Sequence, residues 1–167
     1  MNKSTFTAFT IALFVCLPSA GFSAQCEDHF SDHQLLSLKR HNFDIESADK
    51  RNSTALKLMT CIGHSNPAIR DGVVYEASNY WLRKQLLTTN TTIAMFEVLT
   101  NILANQNSNG TVQDSSNFKQ PFAALVLSEV VRVDRISPYL NTKQRQQIVD
   151  ASSHYMQQIS DYRGFDL

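Results

Sequence analysis

The sequence predicts an all-α protein: a short α-solenoid of the HEAT or armadillo kind, or an irregular helical bundle, of about six helices. Three observations lead there. Apolar residues recur at steps of three and four in successive stretches, which is the spacing of one helix face. Helix-start signatures stand ahead of several of those stretches. No segment keeps up the strict alternation that a half-buried strand requires.

The chain opens with MNKSTFTAFTIALFVCLPSAGFSA. Lys3 precedes an apolar run from Phe6 to Leu17, and Pro18 and small residues follow. This is the layout of a secretory signal peptide, and the apolar run is short for a membrane span. Gly21 and Ser23 fit the small-residue requirement for cleavage after Ser23. Residues 1–23 are therefore read as a signal peptide and 24–167 as one helical domain, periplasmic or secreted, with no membrane attachment after cleavage. An uncleaved anchor is the alternative.

Ser31 with Gln34 forms a capping-box pattern that opens a first helix through Leu35, Leu36 and Leu38. A second is expected from Glu46 to Ile62, with Ala48, Ala55, Met59 and Ile62 on one face and Gly63 as its stop. Asn66 caps a third, and Pro67 takes the first helical position, where a missing N–H costs nothing. Its core face reads Ile69, Val73, Ala77, Tyr80 and Trp81. The run TTNTT is read as a turn before a fourth helix faced by Phe96, Leu99 and Leu103. NQNSNGTVQDSSN is a polar loop. The fifth helix begins near Lys119 or Gln120, because Pro121 suits only a first turn, and turns Leu125, Val126, Val130 and Val133 inward. Asn141 with Gln144 caps a sixth, on which Ile148, Ser152, Tyr155 and Ile159 recur.

Composition narrows the function. Fifteen basic and fifteen acidic residues give zero net charge. With no basic stripe there is no electrostatic footprint for nucleic acid. After signal removal two cysteines remain, Cys26 and Cys61, and an exported chain meets an oxidising compartment. One disulfide is the expectation, and two free buried thiols are the alternative. Cys26, His29 and His33 share helical spacing and could ligate zinc or copper, but a fourth ligand is missing and Cys26 is claimed by the disulfide. No metal and no cofactor are expected. His64 and His154 read as surface residues.

Three stretches together carry a family resemblance: NPAIRDGVVYEASNYWL, FKQPFAALVLSEVVRVD and YMQQISDYRGFD. In that order they resemble an uncharacterised bacterial group, domain-of-unknown-function family 2785, over most of the chain after about Ala55. The matching positions are Arg70, Asp71, Tyr75, Phe122, Leu125, Asp134, Asp161, Arg163 and Gly164. The resemblance implies a helical, HEAT-like fold and no established activity. The family's Arg-Ser before the phenylalanine is Gln120-Pro121 here, and its next serine is Ala123. The family also continues into a further helix beyond the point where this sequence stops.

Arg70 beside Asp71 in a first helical turn needs explaining. The helix dipole favours the aspartate there and disfavours the arginine. The expected resolution is a charged ladder between helices, with Arg70 meeting Asp134 or Asp161 and Asp71 answering Arg163. The same cluster with Tyr75 could instead be a pocket for an anionic or polar ligand. No Ser/His/Asp or Cys/His pattern and no phosphate loop marks a catalytic site. The sequence therefore reads as a binding or scaffold module, leaning away from an enzyme. Its expected partner, a protein or a second copy, docks at the uncapped C-terminal end near Phe165 and Leu167.

Overall fold

A computed structural model describes residues 25–105 and 118–159. Residues 1–23, the expected signal peptide, lie outside them, as do Asp161, Arg163, Gly164, Phe165 and Leu167. Among the described residues there are six helices and no strand. None of these helices is long and apolar enough to cross a membrane.

A single 3-10 turn, Cys26–Asp28, precedes helix α1, Asp32–Arg40. The Ser31 and Gln34 side chains close the expected capping box. Helix α2 spans Ala48–Leu58 from an N-cap at Ser47, then tightens into a 3-10 turn, Met59–Cys61. That turn carries Cys61 to Cys26, and the two are joined as a disulfide. Both cysteines are buried, so the bridge fixes the first turn of the domain to the end of α2.

Helix α3 is continuous but not uniform. It starts as a regular turn, Pro67–Ile69, passes through a π segment, Arg70–Tyr75, and returns to α geometry over Glu76–Arg83. Asn66 caps it through its side chain, with Pro67 at the first position. The π segment changes which residues face inward. Ile69, Val73, Ala77 and Trp81 are buried, and so are Arg70, Val74, Ser78 and Leu82. Both rows step strictly by four. An ordinary helix would rotate such a row off its face, and a π turn absorbs the extra residue. Tyr80, expected in the core, is thereby exposed and leans on the Phe43 ring instead.

The threonine run is not a turn. Thr88 is the N-cap of α4, Thr89–Ala104, its side chain accepting from the Thr91 N–H. Thr91 and Thr92 are buried in the first helical turn, where the Thr92 hydroxyl is satisfied by the Thr88 carbonyl. Helix α5, Lys119–Ile136, admits Pro121 in its first turn, where no N–H is needed. Leu125 points outward, against expectation, because α5 carries more apolar residues than its buried face of Ala123, Val126, Leu127 and Val130 can take. Helix α6, Thr142–Gln158, has the expected Asn141–Gln144 capping box.

Helix α4 is central, packing on α2, α5 and α6, while α3 packs on α5 and α1 sits over the π segment. Trp81, Phe96, Leu58, Ile62 and Leu99 are among the side chains that fill the core. The indole N–H of Trp81 donates 2.9 Å to the Phe43 carbonyl, which stabilises Phe43 in a left-handed conformation (φ 59°) that bulky residues rarely adopt.

Candidate functional site

Arg70 is 2% exposed, among the most completely buried large side chains of the molecule. It lies at the start of the π segment, at the head of the second buried row. Its Nε–H donates 2.7 Å to Asp71 Oδ1, and an Nη1–H reaches the His64 carbonyl at 3.5 Å. The guanidinium carbon stands 3.9 Å from the centroid of the Phe118 ring and 4.9 Å from that of Phe122. Both aromatic faces carry negative charge density, which compensates the cation where water cannot. Tyr75 meets Phe122 edge-on at 6.4 Å. The cluster clasps the first turn of α5 to the π segment of α3.

This differs from the expected ladder. Arg70 pairs with its own neighbour Asp71, whose carboxylate is half exposed, and not with a second helix. Asp134 lies twelve residues beyond Phe122 on α5, about 18 Å along the axis at helical rise, and serves a different joint. It takes Arg145 in a two-point contact, Nε to Oδ2 at 2.8 Å and Nη2 to Oδ1 at 3.2 Å. The backbone N–H groups of Tyr139 and Leu140 each donate 2.8 Å to Oδ1. The Arg145 hydrogen bonds, helped by those backbone donors and opposed by burial, pull the Asp134 carboxyl down to about 2. Asp134 thus ends α5 and aims the chain into α6. Burial, with Asp134 nearby, pushes the Tyr139 hydroxyl up, and it donates to the Val130 carbonyl.

A third ionic joint was not foreseen. Arg83, at the end of α3, meets Glu129 in the middle of α5, Nε to Oε2 at 2.9 Å and Nη2 to Oε1 at 2.5 Å. Its hydrogen bonds hold the Glu129 carboxyl below its ordinary range despite burial. The sequence carried one signal for it: an acid set inside the apolar run LVLSEVV. His64, expected on the surface, is half-buried. Its Nδ1 accepts from the Asn66 N–H at 3.1 Å, and its Nε2 lies 3.5 Å from Asp32 at the start of α1. Cys26, His29 and His33 do not make a ligand set, because the Cys26 sulfur is in the disulfide. Among the described residues no three His, Cys, Asp or Glu side chains are placed to hold one metal ion.

Two depressions matter for access. A groove of about 680 Å³ runs between α4 and α6, lined by Glu97, Thr100, Asn101, Ala104, Gln147, Asp150, Ala151 and His154. A cleft of about 160 Å³ lies by Trp81, Gln85, Thr92, Val133 and Tyr139. Neither includes Arg70, Asp71 or Tyr75, so the buried cation faces no ligand-sized space in either. Ser37 and His41 are the described serine and histidine side chains within hydrogen-bond reach of each other, but His41 Nδ1 is 2.8 Å from the Ser37 carbonyl, the geometry of a donor rather than a base.

A family described as "Protein of unknown function (DUF2785)" matches residues 109–167. This is the family that the motifs resemble, and the matched segment contains the second and third of them. The first motif, with Arg70, Asp71 and Tyr75, lies outside it. No curated protein and no solved structure matches the chain.

Proposed function

We propose that this chain is an exported, non-catalytic helical module that binds a protein partner through its last two helices. One observation carries the reading. Five of the seven exposed large hydrophobic side chains among the described residues lie on α5 and α6: Leu125, Val131, Ile136, Val149 and Met156. Ile136 and Val149 are each 57% exposed and Met156 51%. Single exposed apolar residues need no explanation, but a concentration on one pair of elements marks an interaction surface. Helix α6 adds to this, since Ala151 is its one buried residue over seventeen positions.

The buried Cys26–Cys61 bridge supports an oxidising compartment, in keeping with the N-terminal signal pattern. The occlusion of Arg70 favours architecture over a ligand pocket. Site-specific photo-crosslinking in the export compartment tests the surface. A photoreactive residue in place of Ile136 or Val149 gives a defined protein adduct, and one in place of Lys57, exposed on α2, gives none. Equal labelling from all three positions, or none from any, contradicts the proposal.

A further inference from the structure

The α4–α6 groove and the outer face of α5 carry opposite charge. The groove is lined by the exposed carboxylates Glu97 and Asp150 and by His154, with the small buried side chains Thr100 and Ala151 between them. Among the described residues neither carboxylate has an ion pair; Asp150 accepts only from the Gln146 amide, at 2.9 Å. On α5, Leu125, Arg132 and Ile136 fall on one outward stripe by their spacing of seven and four, flanked by Val131 and Arg135. Neither Arg132 nor Arg135 has an ion pair among the described residues; the one acid on the stripe, Glu129, four residues after Leu125, is buried and paired with Arg83.

We propose that a second copy of this chain occupies the α4–α6 groove, setting the Arg132 and Arg135 edge of its α5 against Glu97 and Asp150; this rests on the reading that the last two helices are the binding surface. Charge complementarity selects that occupant and that orientation. A symmetric contact of α5 on α5 would set arginine against arginine, and groove on groove would set carboxylate against carboxylate; both are penalised. Ridge into groove is complementary in sign and joins two different patches. It is a heterologous contact, which closes into a ring or extends as an open chain.

Sedimentation of the mature, disulfide-bonded protein over a concentration series tests this. The expected result is association that weakens at high salt. The double variants Arg132→Glu/Arg135→Glu and Glu97→Arg/Asp150→Arg each become monomeric, because like charges then face one another. Mixed together they associate again, since both contacts between unlike variants are complementary. Circular dichroism and melting of each variant establish that it is folded. A wild-type monomer at every concentration, association that survives both reversals, or a mixture that stays dissociated overturns the proposal. If the wild type is monomeric while positions 136 and 149 still crosslink to another protein, self-docking fails and the binding surface stands. If both experiments are negative, both readings fail.

Discussion

At the residue scale, a buried arginine is stable only where its charge is met. Arg70 is met by one carboxylate, one carbonyl and two aromatic faces, and each contact belongs to packing rather than to a ligand. Arg70→Ala should therefore lower stability by about 3 kcal/mol, from the lost volume and the lost cation–π contacts together. In a domain of this size that is roughly 10 °C in Tm. Arg70→Lys should recover only part of the loss, because an ammonium cannot lie flat between two rings. Thermal melts of the two variants decide this, and an unchanged Tm for Arg70→Ala would contradict the architectural role.

Asp134 gives a pH prediction. Its folded-state carboxyl is depressed to about 2 from an ordinary 3.8, so the folded state favours the charged form. Its contribution is complete above about pH 4 and disappears as pH falls through about 2. Asp134→Asn should lose stability at neutral pH and show a shallower acid dependence in that window than the wild type. Parallel acid-denaturation slopes would contradict it. The presence of a charged pair at Arg70 was legible, since an arginine next to the helix N-terminus demands compensation. Its partner was not, because a π segment and two aromatic rings provide a solution that regular helix geometry does not suggest.

At the element scale, the starts of α1, α3 and α6 were legible because their caps are local. Ser31, Asn66 and Asn141 each bond a backbone N–H two or three residues on, and no distant contact is needed. Thr88 obeys the same rule, but a run of threonines looks like a turn until it is clear which hydroxyl is the cap. Thr88→Ala should cost about 1 kcal/mol. It removes the cap and one of two contacts with the Asn52 side chain, which also accepts from the Thr88 N–H. Chemical denaturation measures this, and a change well below that size would mean that the Asn52 contact alone holds the start of α4.

The disulfide also acts at this scale. It closes a loop of about 36 residues, for which chain entropy gives about 4 kcal/mol. Cys26→Ser/Cys61→Ser should unfold at a correspondingly lower denaturant concentration, and hydrogen exchange should rise first in the 26–40 stretch. Uniform exchange across all six helices would show that the bridge does not act locally.

At the scale of the whole molecule, the all-α class was legible from periodicity, since six short amphipathic segments have few ways to bury their faces. The arrangement was not. Nothing in the local pattern makes α4 the central helix, or places the three buried charged residues, Arg70, Glu129 and Asp134, at three separate joints. Those joints span up to 46 residues and depend on tertiary placement. The candidate surface was not legible: the docking end expected near Phe165 and Leu167 lies outside the described residues, and the exposure of Leu125 reverses its assignment to the core.

We propose that this exported, oxidised helical domain works by binding protein and not by chemistry on a small molecule. Native mass spectrometry of the chain recovered from its export compartment tests it most directly. The expected species is a polypeptide beginning at Ala24, lighter by the two hydrogens of the Cys26–Cys61 bridge, carrying no small molecule and associated with a second polypeptide. A reduced chain that retains residues 1–23, or a monomer holding a bound small molecule, would contradict it.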